Sequence, residues 1–197
     1  MKKKHNTPLI IMACGITGLA APTNCNADMT KAGLNKRIYI GRRSDIKDGD
    51  TGYTTATGKI SAISFKTYKG FKQIFGRKLS NDAEQSLKFN ETNKFMAQDV
   101  VLKLTSAAND TDTIATIESL FGIDDAVVVV ETNSGGFKVY GKDTGLEMTE
   151  LSQKDGIKFE DDNSFMVKLT GAELGLVPWF LATDYATSKA LLDSYVV

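Results

Sequence analysis

Ala126-Val127-Val128-Val129-Val130-Glu131, then Asn133-Ser134-Gly135-Gly136, then Phe137-Lys138-Val139-Tyr140-Gly141 is the stretch that decides the fold. Four consecutive valines are stiff about χ1 and suit a pleated strand better than a helix. The unbroken apolar run is the length of one buried strand. Asn-Ser-Gly-Gly supplies residues that tolerate left-handed turn geometry, so the flanking segments form a hairpin.

Upstream of that hairpin lies one good helix, predicted over 112–121. Asp110-Thr111-Asp112 offers an N-cap and an acidic first turn, and Ile114, Ile117, Leu120 and Phe121 form one apolar stripe. Gly122 stands where a C-cap glycine belongs, and the stripe should pack on a sheet. Earlier segments alternate with period 2, as strands do. Arg37-Ile38-Tyr39-Ile40 lies within 36–42; Lys59–Tyr68 sets Ile63 and Phe65 on one face. In Gln85–Asn90, Leu87 and Phe89 alternate with Lys88 and Asn90, and in Phe95–Thr105 Val100, Leu102 and Leu104 are in phase. Asp45–Gly58 reads as a loop. Its Asp48-Gly49-Asp50 lacks the alternating oxygen ligands and closing Glu of a calcium loop.

Downstream, Ile157–Glu160 and Phe165–Thr170 read as a second hairpin across the acidic turn Glu160-Asp161-Asp162. Trp179 and Phe180 look like core or interface residues, and Ala182–Ser194 is helical with Leu191 and Leu192 apolar. Proline is absent from 23 to 177, which suits a body of paired strands. Residues 12–35, rich in Gly, Ala, Thr and Asn, read as an irregular lead-in. The expected organisation is an arm over 1–35, a β-domain over 36–181 and a helical tail over 182–197. The fold class is α+β and β-rich, an antiparallel sandwich or barrel with one packed helix. A length of 197 residues fits one such domain, and no apolar run reaches the ~20 residues of a membrane-spanning helix.

The inventory excludes much chemistry. The single histidine is His5 and the two cysteines are Cys14 and Cys25, so the body from residue 26 has neither type. It cannot build a Ser-His-Asp or Cys-His nucleophile, a His base or an N/S zinc site. A carboxylate-only enzyme would need two convergent acids, and the densest cluster, Glu160-Asp161-Asp162, reads as a solvated turn. The expectation is no enzyme, no cofactor and no metal.

The N-terminus admits three readings. Lys2-Lys3-Lys4 before Pro8–Cys14 has the outline of a lipoprotein signal with Cys14 lipidated, but its apolar segment is short. Met12 as the natural start, or a loose basic tip, is favoured. Cys14 and Cys25 read as free thiols, although they could bridge in an oxidising compartment.

Charge adds a polarity. The chain is neutral, yet residues 1–103 hold 18 Lys+Arg against 8 Asp+Glu, while 104–197 hold 6 against 16. The halves are therefore +10 and −10. That split either mixes on one sheet surface as strands interleave, or supports head-to-tail association. Between Asp50 and Asp82 there is no acid, and Lys59, Lys66, Lys69, Lys72, Arg77 and Lys78 alternate with Phe65, Tyr68, Phe71 and Phe75. Such a mixture could stack single-stranded nucleic acid. Without a nucleic-acid motif and in a neutral chain, a protein–protein contact is favoured.

From the helix onward the chain resembles the tail tube (major tail) proteins of tailed bacteriophages, particularly those of Bacteroidetes hosts. The residues that carry the likeness are the helix Asp112–Phe121, Asp125–Glu131, Asn133–Gly141, Gly145-Leu146, Asp155-Gly156 and Asp161–Gly171. Met12-Ala13-Cys14-Gly15, leading through Gly33-Leu34 to Ile38-Tyr39-Ile40, is similar to the opening of such proteins. The resemblance implies a β-sandwich with a flanking helix, copies closed into hexameric rings by joined sheet edges, and rings stacked as a tube. DNA would pass through without specific binding, in a virion assembled in the host cytoplasm, with no membrane. The partners implied are the chain itself and other tail or head–tail proteins.

On charge and exposure, Arg42, Arg43, Lys66, Lys69, Lys72, Arg77, Lys78, Glu160, Asp161, Asp162 and Trp179 are the expected assembly-interface residues. The alternatives are a monomeric surface lipoprotein sandwich held through Cys14, or another phage head–tail ring component.

Overall fold

The structure, a computed structural model, describes residues 34–48, 52–56, 58–76, 81–89, 94–105, 115, 117–120, 122–154 and 164–197. Among the described residues eleven strands form two open sheets, a sandwich with no barrel closure. They are β1 (Leu34–Arg42), β2 (Tyr53–Ala56), β3 (Lys59–Ile63), β4 (Lys72–Phe75), β5 (Asp82–Phe89) and β6 (Lys94–Thr105). The remainder are β7 (Ala126–Thr132), β8 (Phe137–Tyr140), β9 (Glu147–Lys154), β10 (Ser164–Glu173) and β11 (Trp179–Phe180). The larger sheet has the order β2-β3-β11-β8-β7-β1-β4, and the smaller one β5-β6-β10-β9. In the larger sheet strands of the acidic half therefore lie between strands of the basic half, whereas in the smaller sheet the two halves sit side by side.

The valine run is β7, and every one of its residues is buried. The reason is that the large sheet is covered on both faces. Ala126, Val128 and Val130 point with Ile38 and Ile40 into a core shared with Val100, Leu102, Leu104, Val167 and Leu169 of the small sheet. Val127 and Val129 point the other way, into a second core with Tyr39, Phe71, Phe137, Phe180 and Leu192. Each such side chain contributes about 1.5–3 kcal/mol on burial, and an alternating polar residue on either face would forfeit that. The hairpin is as expected: Val129 pairs Val139, and Gly135 sits at φ +85 in the turn.

A C-terminal helix, Tyr185–Ser194, covers the second core. Asp184 caps it by accepting the Thr187 N–H at 2.7 Å. It is not a free tail. Asp193 gathers the Tyr39 hydroxyl at 2.6 Å, the Gln73 amide at 3.2 Å, Lys189 at 3.2 Å and Arg37 at 3.5 Å. Burial raises the Asp193 carboxyl, but the bonds from Tyr39 and Lys189 and the nearby cations outweigh it and hold it below the usual range. A depressed carboxyl stabilises above its unfolded pKa and loses that contribution as pH falls through the folded value. Asp193→Asn should therefore remove part of the acid-side slope in a plot of melting temperature against pH; an unchanged slope would detach this carboxylate from helix docking.

Of the helix expected over 112–121, Ala115 and Ile117–Ser119 are helical, Ile117 and Leu120 are buried between the sheets, and Gly122 adopts φ +70. The rest of that helix lies outside the described residues. Three expectations need correction. Asp45–Gly58, read as a loop, contains β2, which pairs with β3 through Tyr53 opposite Ile63 and Thr54 opposite Ala62; Tyr-Thr-Thr-Ala between glycines is too short to show an apolar alternation. The strand expected over Lys59–Tyr68 stops at Ile63, because the chain turns at Lys66–Lys69 with Tyr68 at φ +59. The first arm of the second hairpin is Glu147–Lys154, paired with β10, and Ile157–Glu160 lie outside the described residues. Glu147–Lys154 alternates too weakly to announce a strand, being an edge with one face in water.

Candidate assembly surfaces

The two ends of the sandwich differ in character. β1 ends at Arg42 opposite Ala126, and Ala126 bridges to Leu146 ahead of β9. At this first end the chain turns through a short 3-10 segment, Arg43–Asp45. Lys66 donates to the Ser44 carbonyl at 2.7 Å, and Lys69 pairs with Asp45 at 3.4 Å. Lys72 donates to the main-chain oxygen of Val197 at 2.7 Å. Arg42, Lys66, Lys69 and Lys72 are all exposed here, so four of the expected interface residues come together. Tyr68 stands among them, 94% exposed, in a left-handed conformation uncommon for an aromatic residue.

Arg43 does not join them. It is half-buried, with its guanidinium 5.5 Å from the Tyr53 ring, and serves the fold. Trp179 lies elsewhere, in β11 beside the β7–β8 turn. Arg77, Lys78, Glu160, Asp161 and Asp162 lie outside the described residues. Their flanks are informative, however. Lys154 and Ser164 pair with one another, and Ser164 pairs with Thr105, at the end of the small sheet opposite Arg42. Lys154 and Ser164, the described residues on either side of the acid-rich sequence 155–163, therefore stand at the end remote from the basic turn.

Sequence reasoning missed an apolar feature at the first end. In β5, Ala83, Gln85, Leu87 and Phe89 share one face, and Ala83 packs on the inter-sheet core. The β5–β6 hairpin runs on past that core, leaving Leu87 and Phe89 exposed, and beside it Leu174 and Leu176 follow β10 into solvent. The alternation of Leu87 and Phe89 with Lys88 was visible. That this strand overhangs the sandwich was not, because it depends on where β10 ends.

The end of β10 is fixed by a buried carboxylate. Glu173 accepts the N–H groups of Asp143 and Thr144 at 3.0 and 3.1 Å, and the Thr144 hydroxyl at 3.3 Å. Burial raises its pKa, the two N–H bonds oppose that, and the adjacent Asp143 charge reinforces it, so the net shift is upward. A raised carboxyl contributes stability that is complete below its unfolded pKa and is lost as pH rises through the folded value. Glu173→Gln should flatten the loss of melting temperature on that rise; a slope identical to wild type would remove Glu173 as its source.

Among the described residues no group of three or more His, Cys, Asp or Glu could hold a metal, and no helix is long and apolar enough to cross a membrane. No protein-family model, curated protein or solved structure matches the chain.

Proposed function

We propose that the protein is a structural subunit whose copies close into rings and stack into a tube through which DNA passes, as its resemblance to phage tail tube proteins implies. The observation that carries this reading is the pair of unpaired edges on the small sheet. Among the described residues, β5 and β9 each pair on one side only, and both are eight residues long. Their sheet is antiparallel throughout, so β5 and β9 run in opposite directions. Joining β5 of one copy to β9 of the next continues the same alternation. Because the joined edges differ, the contact is heterologous and closes a ring when its rotation allows. Closure also hides two strand edges that are otherwise an aggregation hazard.

The register follows from the pleat. The Met148 N–H is taken by the Ile123 carbonyl, which directs a neighbour to the part of β9 beyond it. Core-facing residues must stay in phase. One register that satisfies both sets Leu87 against Leu151, Ser86 against Ser152 and Lys88 against Glu150. Lys88 and Glu150 are exposed, and neither has an ion-pair partner among the described residues.

Stacking follows the charge. The basic turn with Arg42, Lys66, Lys69 and Lys72 lies at one end; Lys154 and Ser164, which flank the acid-rich sequence 155–163 with its Asp155, Glu160, Asp161 and Asp162, pair at the other. Exposed charges are screened beyond about 8 Å at 0.15 M salt, so stacks should shorten as salt rises while rings persist.

The test is cross-linking with imaging. Ser86→Cys and Ser152→Cys are introduced together in a Cys14→Ser/Cys25→Ser chain. Within one copy β5 and β9 are separated by two strands, roughly 14 Å, too far for a disulfide. Oxidation should give a ladder of linked oligomers, and negative-stain microscopy should show rings or tubes. Monomers at every concentration would overturn the proposal and favour a surface protein held through Cys14.

A further inference from the structure

Trp179 is the chain's one tryptophan, and it stands in a row of side chains across the large sheet. Lys59 of β3 pairs with it on one side and Lys138 of β8 on the other. Lys138 in turn pairs with Val130, whose side chain points toward the small sheet, and directly paired residues share a face. The whole row therefore faces that way. The indole is fixed in place: the Lys138 ammonium lies 5.2 Å from its ring centre, and Gly136 is so close that a Cβ would stand 2.7 Å from the ring. It is nevertheless 39% exposed. Neither lysine has an ion-pair partner among the described residues.

The row lines a cavity of about 730 Å³, a size typical of small-molecule sites. Tyr140, two residues along β8 from Lys138 and so on the same face, lines it as well. Its side chain is 3% exposed, yet its hydroxyl has no hydrogen-bond partner among the described residues. Buried polar groups are ordinarily bonded, and this one lines the cavity still without a partner. Asp82 at the start of β5 is a further lining residue. Burial and, after it, the Asp82 charge push the Tyr140 hydroxyl up to about 12, so the carboxylate is near enough to be felt. Leu34, Ala83 and Leu181 supply apolar wall.

We propose that this cavity binds a mono- or disaccharide unit, with a sugar ring packed against Trp179 and its hydroxyls held by Asp82, Tyr140, Lys59 and Lys138. The lining selects that chemistry. Asp82 only accepts, the two ammoniums only donate, and the Tyr140 hydroxyl does either. An apolar ligand would strip water from the charged groups and leave them unpaired. A phosphate or carboxylate would suit the lysines but set a second anion beside Asp82, and a cation would suit Asp82 but meet two lysines. A sugar hydroxyl both donates and accepts, so every group finds a match, and bonds to ionised groups are the stronger kind. The C–H groups of the ring answer the indole and the apolar wall. One copy supplies every residue named, so the proposal stands apart from self-assembly. Rings would array weak sites into a multivalent surface.

Because Trp179 is the only tryptophan, tryptophan fluorescence of the intact chain reports this site alone. Maltose, lactose, cellobiose and diacetylchitobiose are titrated in turn, with inorganic phosphate and acetate as anion probes. At least one disaccharide should shift the emission to shorter wavelength and shield it from acrylamide quenching, in a saturable manner. Asp82→Ala should raise the half-saturating concentration about tenfold or more, and Tyr140→Phe about two- to tenfold. Both variants keep the reporter. Asp82 is exposed, and Tyr140→Phe keeps its ring in the core, so circular dichroism melting should match wild type. Shielding by phosphate or acetate and by no sugar would overturn the proposal and make the cavity an anion site. No shielding by any sugar at its solubility limit, or shielding that both variants leave unchanged, would overturn it as well.

Discussion

In the proposed ring, Lys88→Glu should abolish ring formation, Glu150→Lys should do the same, and the double variant should form rings again. The expectation comes from cross-strand pairing at the joined edge. Opposite charges directly facing one another are worth roughly 0.2–1 kcal/mol, and like charges destabilise by similar amounts. Reversing one member exchanges attraction for repulsion, about 0.4–2 kcal/mol at every contact, or roughly two- to thirtyfold in each association constant. A closed ring repeats that loss around its circumference, so rings should disappear at concentrations where wild type assembles fully. The double variant restores every contact with its polarity inverted. Both side chains are exposed, so neither single change should alter folding, and analytical ultracentrifugation beside a melting curve separates the two effects. Rings in both single variants would exclude this register. Loss without rescue would mean that Lys88 and Glu150 act in different contacts.

Much of the fold was legible because burial wrote it into local pattern. The valine run, the turn at Asn133–Gly136 and the in-phase Val100, Leu102 and Leu104 each report one environment and need no partner to be read. The double coverage of β7 was harder to read. An unbroken apolar run says that a strand is buried, but not that one face meets a second sheet and the other a helix far along the chain. That helix gives little apolar warning of its own, since Leu192 is its one fully buried large side chain and polar groups on Asp193 do much of the docking. Charge was readable as a sum but not as geometry. Lys66, Lys69 and Lys72 do converge with Arg42, whereas Arg43, an identical residue type one position later, turns inward onto Tyr53. Arg42 ends β1 and Arg43 opens the 3-10 turn, so the backbone changes direction between them, and composition cannot say which neighbour faces water. The exposure of Leu174 and Leu176 escaped for a related reason: they resemble core residues until the end of β10 is known.

Phe71→Ala should lower stability by about 3–5 kcal/mol, the largest loss expected from one substitution here. Phe71 is fully buried and sits where three parts of the chain meet. Its ring lies edge-to-face on Phe65 at 4.9 Å and 6.2 Å from Tyr39, and Gly41 is so close that a Cβ there would stand 2.8 Å from it. Its backbone ties down the residues after the C-terminal helix, donating to the Tyr195 carbonyl at 2.8 Å and accepting from the Val197 N–H at 3.1 Å. Truncation leaves a cavity that its neighbours cannot close, because Tyr39 is held by Asp193 and Phe65 packs against Tyr195. For a chain of this size 1 kcal/mol corresponds to roughly 2–4 °C, so the melting temperature should fall by about 10 °C. Assembly would mask the change, and the comparison belongs in the Lys88→Glu background. Tyr68→Ser is the control: three residues away but 94% exposed, it should shift stability by no more than about 0.5 kcal/mol. A Phe71→Ala chain that melts with its parent would mean that the face of the large sheet under the C-terminal helix is not the second core described above.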